Sequence, residues 1–179
     1  WTFGEHWGLG WILPEWDGRH LFAHDGSTIG QGAFLRVLEG EPDLTVALLT
    51  NGGESRDLYQ DLYGEIFEQL AGVVIPPRVE PVASPPSFDP AKYLGRYERE
   101  SMAHEVVLRG DELVMINLPS GVLKTAMGAD SIEGPLIPFE TDVFLSSMPS
   151  VSGYLPAVFY DSADGARYLH FAGRAAAKV

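Results

Sequence analysis

Phe22–Ala23–His24–Asp25–Gly26–Ser27 is the stretch whose reading decides the fold. Gly8–Leu9–Gly10–Trp11 lies just before it, and two apolar runs ending at Thr50–Asn51–Gly52–Gly53 come just after. The pattern reads as a strand, a His-x-Gly turn onto a second strand, a hairpin partner and a last strand. A histidine leading into glycine at a strand start sets an ionisable group where backbone can approach a ligand closely, because Gly26 has no side chain in the way. That geometry suits the holding of a carboxylate or an oxyanion.

In this order, the three segments resemble the C-terminal part of the serine β-lactamase, penicillin-binding protein and esterase superfamily, in particular its class C-type branch. The third catalytic motif of that superfamily is Lys-Thr-Gly or a variant such as His-x-Gly, and His24–Asp25–Gly26 would be that motif. The flanking Gly-Leu-Gly-Trp and Leu-Leu-Thr-Asn segments match its usual surroundings, and the resemblance covers roughly residues 1–72. The superfamily nucleophile lies in Ser-x-x-Lys, with Tyr-x-Asn following it. Neither motif occurs in these 179 residues: Ser120 is followed by Lys124, one place too far, and no tyrosine has asparagine two places on. The resemblance therefore implies a C-terminal piece of a larger protein, a fragment or processed product, with the serine and lysine elsewhere.

Composition narrows the function classes. An apolar content of 45% with 21% charged residues is ordinary for a globular protein. There are no cysteines, which excludes disulfides and thiolate metal sites and says little about compartment. A net charge of −13 argues against nucleic acid and anionic membrane surfaces, which attract basic patches. No apolar run approaches the ~18 residues of a membrane span.

Along the chain, Trp7, Leu9 and Trp11 alternate with Gly8 and Gly10, a period of two that predicts a strand within the aromatic stretch Trp1 to Leu13. Gly30 to Leu38 alternates, with Ala33, Leu35 and Val37 on one face and Phe34 and Arg36 on the other. Glu39 to Asp43 forms a turn, and Leu44 to Thr50 is almost continuously apolar, as in a strand covered on both faces. A helix is predicted from about Ser55, a candidate N-cap, to Ala71, with Gly72 ending it. Its apolar face combines Leu58, Leu62, Ile66 and Leu70 with Tyr59, Tyr63 and Phe67, and core packing against the sheet is its reading. Gly64 inside the helix costs about 1 kcal/mol relative to alanine, which allows for close packing there.

Six prolines between Pro76 and Pro90 break the pattern and predict a linker. From Tyr93 onward short strands dominate: Tyr93 to Arg99, His104 to Leu108, Leu113 to Leu118, Lys124 to Met127, Leu136 to Phe139, Val143 to Ser147, Ala157 to Tyr160, Arg167 to Phe171 and a last segment near Gly173 to Val179. Turns are read at Arg109–Glu112 and Asp161–Gly165. Such a run predicts a small closed barrel. Tyr-Leu-Gly-Arg-Tyr (residues 93–97) resembles the opening of the lipocalin-like domain that follows some β-lactamase-like hydrolases and peptidases. The expected fold class is thus α+β: antiparallel strands plus the C-terminal helix of an incomplete β-lactamase-like domain (1–75), a proline-rich linker (76–90) and an all-β lipocalin-like barrel (91–179).

The candidate catalytic residues are His24, Gly26 and Ser27. The resemblance implies a hydrogen-bonding or electrostatic role for His24 beside the nucleophile. Imidazole, with an unperturbed pKa near 6.5, can accept or donate, and histidine in place of lysine hints at an esterase or peptidase. Ser27 stands where the superfamily offers a backbone N–H to the oxyanion hole, a donor worth about 3 kcal/mol in the transition state. Asp25 adds a negative charge where negative charge must be stabilised, a conflict that strand alternation removes if its side chain points away. His6, His20, His104 and His170 have no ligand spacing, so neither a metal nor a cofactor is expected. His170 alternates with Tyr168, facing either the barrel interior or its surface. The early tryptophans are read as core, with a cleft lining as the alternative. The expected partners are a small-molecule or peptide substrate and the N-terminal remainder of the same domain, with an oligomer left open. A non-catalytic ligand-binding or regulatory barrel that gates a partner's active site is the competing reading, and a purely structural region is the third.

Overall fold

The computed structural model describes residues 4, 6–28, 30–53, 55–148 and 151–179, the side chain of Val151 excepted. Trp1 of the opening aromatic stretch lies outside the described residues. The chain divides into two compact units, the first ending at Pro77 and the second running Arg78–Val179.

The first unit contains β1 (His6–Trp7), β2 (Ile12–Leu13), β3 (Glu15–Trp16), β4 (Arg19–Thr28), β5 (Gln31–Leu38), β6 (Leu44–Thr50) and the helix α1 (Ser55–Ala71). Its antiparallel sheet has the order β1-β2-β4-β5-β6, with β3 paired to β4. The opening stretch is a tight hairpin rather than the single strand its alternation suggests. Gly10 takes a φ of +81°, the left-handed region glycine enters at no steric cost, and the Gly8 N–H donates to the Trp11 carbonyl at 2.8 Å. The β4–β5 register pairs Asp25 with Phe34 and Ala23 with Arg36, so these four side chains share a face.

That face carries α1. Tyr63 and Phe67 are its buried residues, packed with Trp16, Leu21, Leu38, Val73 and Ile75. The Tyr63 hydroxyl reaches the Phe34 and Val46 carbonyls at 2.8 and 3.1 Å, tying the helix to β5 and β6. Leu58 and Leu70, expected on the buried face, are instead 47% and 62% exposed. The aromatic stripe Tyr59–Tyr63–Phe67 takes the contact with the sheet instead, its rings burying more area. Ser55 is the first described residue of the helix, and the residue before it lies outside the described residues. Gly72 ends the helix as expected, with φ +63° and its N–H on the Glu68 carbonyl at 3.1 Å.

β6 is not covered on both faces. Thr45, Ala47 and Leu49 are exposed, Leu49 at 80%, whereas Val46 and Leu48 pack toward α1. Gly64 meets only Ile75, at the ordinary contact distance of 3.8 Å for an added Cβ, so close packing does not require it. Gly64→Ala is therefore expected to stabilise the first unit by about 0.5–1 kcal/mol through helix propensity. A thermal unfolding midpoint at or below that of the parent would contradict this.

The second unit starts from irregular chain, with Phe88 in ring contact with Phe144 at 5.2 Å, and a one-turn 3-10 helix, Pro90–Lys92, capped by the Asp89 carboxylate. Then come β7 (Gly95–Arg99), β8 (Met102–Arg109), β9 (Glu112–Pro119), the helix α2 (Gly121–Met127), β10 (Ile132–Glu140), β11 (Val143–Met148), β12 (Val151–Asp161), β13 (Arg167–Phe171) and β14 (Arg174–Lys178). The strands close into an eight-stranded antiparallel barrel in the cyclic order β10-β11-β12-β13-β14-β7-β8-β9. Closure leaves no unpaired edge. The turns at Arg109–Glu112 and Asp161–Gly165 lie where the sequence places them, between β8 and β9 and between β12 and β13.

Lys124 to Met127 is helical, not a strand. Leu123, Lys124, Ala126 and Met127 are strong helix formers, and Gly128 closes the turn at φ +65° with its N–H on the Lys124 carbonyl at 3.0 Å. The two tyrosines of Tyr-Leu-Gly-Arg-Tyr point into the barrel. Both stack edge-on against Phe159, the Tyr97 hydroxyl donates to the Tyr93 carbonyl at 2.8 Å, and the Tyr93 hydroxyl donates to Asp142 at 2.8 Å. Burial first, then the Asp142 carboxylate, pushes the Tyr93 phenol up to about 12. Among the described residues, no helix is long and apolar enough to cross a membrane.

Candidate functional site

His24, Asp25, Gly26 and Ser27 all lie on β4, and strand alternation divides them between two faces. Asp25 turns to the α1 side. Its carboxylate receives both ends of the Arg36 fork, Nη1 at 2.6 Å and Nη2 at 3.2 Å. Arg36 has a side chain only 7% exposed, against 27% for Asp25. Its Nε donates to the Tyr59 hydroxyl at 3.1 Å, and its guanidinium lies over the Tyr59 and Trp16 rings at 5.0 and 5.7 Å. Burial works against the Arg36 charge, but the Asp25 hydrogen bond and the surrounding groups outweigh it and its pKa is raised. Tyr59 is pushed up to about 12, mainly by burial. The charge that conflicted with an oxyanion role thus points to the far side of the sheet and is neutralised there.

His24 and Gly26 share the opposite face. His24 is exposed, and its Nδ1 lies 2.8 Å from the Asp25 carbonyl oxygen. A carbonyl only accepts, so Nδ1 carries a proton and donates it there. The Trp7 ring stands edge-on to His24 at 6.3 Å, and Trp11 edge-on to the neighbouring Phe22 at 6.3 Å. Trp7 and Trp11 are exposed, 60% and 40%, while Trp16 is core. Trp16 thus follows the core reading, and Trp7 and Trp11 do not.

A Cβ added at Gly26 would meet only the Ala33 Cβ, at 3.9 Å, and its φ is not in the left-handed region. Neither backbone nor packing within the described residues demands glycine there, so what a side chain would obstruct is the space in front of the strand. The edge of β4 toward β2 is paired at Ile12–Ala23, and among the described residues that pairing goes no further. Residues 24–28 therefore offer backbone groups along an open edge, Ser27 among them. The Ser27 side chain falls on the Asp25 side, so any role on the His24 face belongs to its backbone.

Two features escaped the sequence reading. Arg36 looked like one half of an alternating pair, and nothing local pointed to Asp25, 11 residues away. His104, set aside as background, is 2% exposed inside the barrel. His170 faces outward by alternation with the inward Leu169 and Phe171 and is partly buried, and that burial lowers its pKa. His20 is exposed near Glu15 at 3.7 Å.

No established family profile matches the chain. Over 104 residues, 58% of this chain and 27% of the other protein, it is 43% identical to penicillin-binding protein 4 of Amycolatopsis lactamdurans. Its fold is similar to that of SurE with D-Leu (TM-score 0.69, 20% identity), covering all of this chain and 40% of that one. A second SurE crystal structure aligns with TM-score 0.66 and 21% identity, covering all of this chain and 39% of that one. The chain thus spans well under half the length of each of these proteins. The match over those 104 residues relates it to a penicillin-binding protein, and the SurE likeness is one of fold.

Proposed function

We infer that this chain is the C-terminal part of a serine hydrolase of the β-lactamase-like superfamily, acting through an acyl-enzyme as an esterase, peptidase or β-lactamase. Residues 1–75 are read as the closing strands and helix of its α+β catalytic domain, 76–90 as the linker, and 91–179 as a lipocalin-like barrel. His24 and Gly26, with the Ser27 backbone, form the third motif. A small-molecule or peptide substrate and the upstream part of the same domain, carrying Ser-x-x-Lys, are its partners.

One observation carries this reading. His24 stands exposed beside Gly26 on a stretch of β4 whose edge is unpaired among the described residues, while the one acidic residue of the motif is turned away and bound by Arg36. In that setting His24 would accept or relay a proton at Nε2, and the strand edge would donate N–H groups to the developing oxyanion. The identity to a penicillin-binding protein supports the same class of chemistry.

The reading predicts that the 179-residue chain alone hydrolyses neither a chromogenic β-lactam nor a short-chain ester, because it contains no Ser-x-x-Lys. Turnover that survives purification and is abolished by a serine-directed acylating reagent would overturn it, since the nucleophile would then lie within these residues.

A further inference from the structure

One end of the barrel is polar inside. His104 on β8 pairs with the core residue Tyr97 on one side and with Asn117 on the other, and all three face inward. Arg99, two residues beyond Tyr97, shares its face and brings its Nε under cover. Phe171, whose ring meets His104 at 5.9 Å, pairs with Arg174. On β10, two strands from β8 in the ring, Gly134 admits β11 closely: a Cβ there would lie 2.5 Å from the Ser147 carbonyl oxygen and 2.9 Å from Ser146 Oγ. Arg99, His104, Asn117, Ser146 and Arg174 thus lie on the inner wall toward the end that carries the β7–β8 and β13–β14 turns.

The hydrogen bonds there are incomplete in a specific way. Asn117 Nδ2 donates to the Ile132 carbonyl at 2.9 Å, which leaves its Oδ1 to accept from His104 Nδ1–H at 2.8 Å. Burial, the largest influence, holds the His104 pKa below its ordinary value, so the ring is neutral and Nε2 is a bare acceptor. Among the described residues that nitrogen, Ser146 Oγ and Arg99 Nε have no partner, although His104 is 2% and Ser146 0% exposed. Folded proteins seldom leave such groups orphaned, and each calls for an explanation. Charge is also uncompensated. Among the described residues the Arg99 side chain makes one bond, from Nη1 to the neighbouring Glu100 carbonyl at 3.0 Å. Burial and then Arg174, a second cation, depress its pKa, with no carboxylate opposing them. An unneutralised arginine pair stands out in a chain of net charge −13.

We propose that this end of the barrel binds a small carboxylic acid that also carries a hydrogen-bond donor, of which a 2-hydroxy or 2-amino acid is the minimal form. The carboxylate pairs with Arg99 and accepts from the Ser146 hydroxyl. The ligand's own O–H or N–H donates to His104 Nε2, the one orphan that an anion alone cannot satisfy. Arg174 adds positive potential at the mouth. The three orphan atoms are closed to water in this structure, so the ligand enters as the Arg99 side chain swings out; among the described residues that side chain is held by one hydrogen bond, to the neighbouring Glu100 carbonyl. The inference concerns the second unit alone and is independent of the role of His24.

The test is a titration of the 15N-labelled 179-residue chain with lactate, followed by amide chemical shifts. Saturable shifts are expected at Arg99, Asn117, Ser146 and Arg174. Acetate, which lacks the donor, and lactamide, which lacks the charge, should each bind at least tenfold more weakly. Arg99→Gln should lose at least tenfold in lactate affinity. Ser146→Ala, which removes an unpaired hydroxyl and keeps the fold, should also weaken binding. Shifts that grow linearly without saturation would overturn the proposal. So would equal affinity for acetate and lactate, or lactate binding that Arg99→Gln leaves intact. Trialanine binding through its C-terminal carboxylate more tightly than lactate would also overturn it, by assigning the site to peptide ends.

Discussion

Replacing His24 with alanine in the full-length protein is expected to lower the acylation rate by roughly ten- to a thousandfold, the range for a positioned polar group beside a nucleophile. Stability should hardly change. His24 is exposed, it meets the edge of Trp7 and the adjacent Asp25 carbonyl among the described residues, and the core of the first unit lies on the other face of β4. This pairing of a large kinetic loss with a small stability loss is the signature to look for. A packing histidine would lose stability first and activity only through unfolding, and a solvated one would lose neither. Pre-steady-state acylation and the unfolding midpoint, measured in one buffer for parent and His24→Ala, separate the three. Unchanged acylation, or a fall that tracks stability, would remove His24 from the chemistry.

The second large effect concerns the residue next to it. Asp25→Ala is expected to destabilise the first unit by about 3 kcal/mol, because it leaves the Arg36 guanidinium, 7% exposed, without its carboxylate. The 27% exposure of Asp25 lets some water reach the vacated site, which keeps the value at the lower end of what a broken buried pair costs. Arg36→Met in the same background should recover part of the loss, since the stranded charge is then gone and a flexible apolar chain fills the slot between Trp16 and Tyr59. The double-mutant cycle isolates the coupling. Urea unfolding of the parent, both single variants and the double variant would measure it. A loss under about 1 kcal/mol in Asp25→Ala, or strict additivity, would show that the pair behaves like a surface ion pair.

Much of the architecture was legible because its signals are local. The period-two alternation of Gly30 to Leu38, the Arg109–Gly110–Asp111–Glu112 turn and the limits of α1 with Gly72 beyond them follow from backbone geometry and turn chemistry within a few residues. The closed barrel was expected from the count and spacing of short strands. The misread elements share a different cause. Lys124 to Met127 lies in a strand-rich stretch, although its own residues favour helix. β6 reads as doubly covered because periodicity reports apolarity and not what lies on either side. In α1, leucines and aromatics compete for the sheet-facing row, and only packing against the sheet decides for the rings.

The candidate site divides the same way. Sequence by itself determined that a histidine and a glycine two places apart on a strand would share a face, because the side-chain period of a strand is two. It also determined that Asp25 would take the other face, but not what would meet it there. Only the tertiary structure decided that Arg36 would, since this depends on the β4–β5 register and on α1 closing over both. The polar ring inside the barrel is likewise a product of closure. His104, Asn117, Ser146 and Arg99 lie on four different strands, and no local pattern records which inward-facing atoms will find partners once the barrel shuts. Strand faces are set by chain geometry a few residues at a time, whereas pairing and orphaning of buried polar groups are set by contacts between residues far apart in the chain.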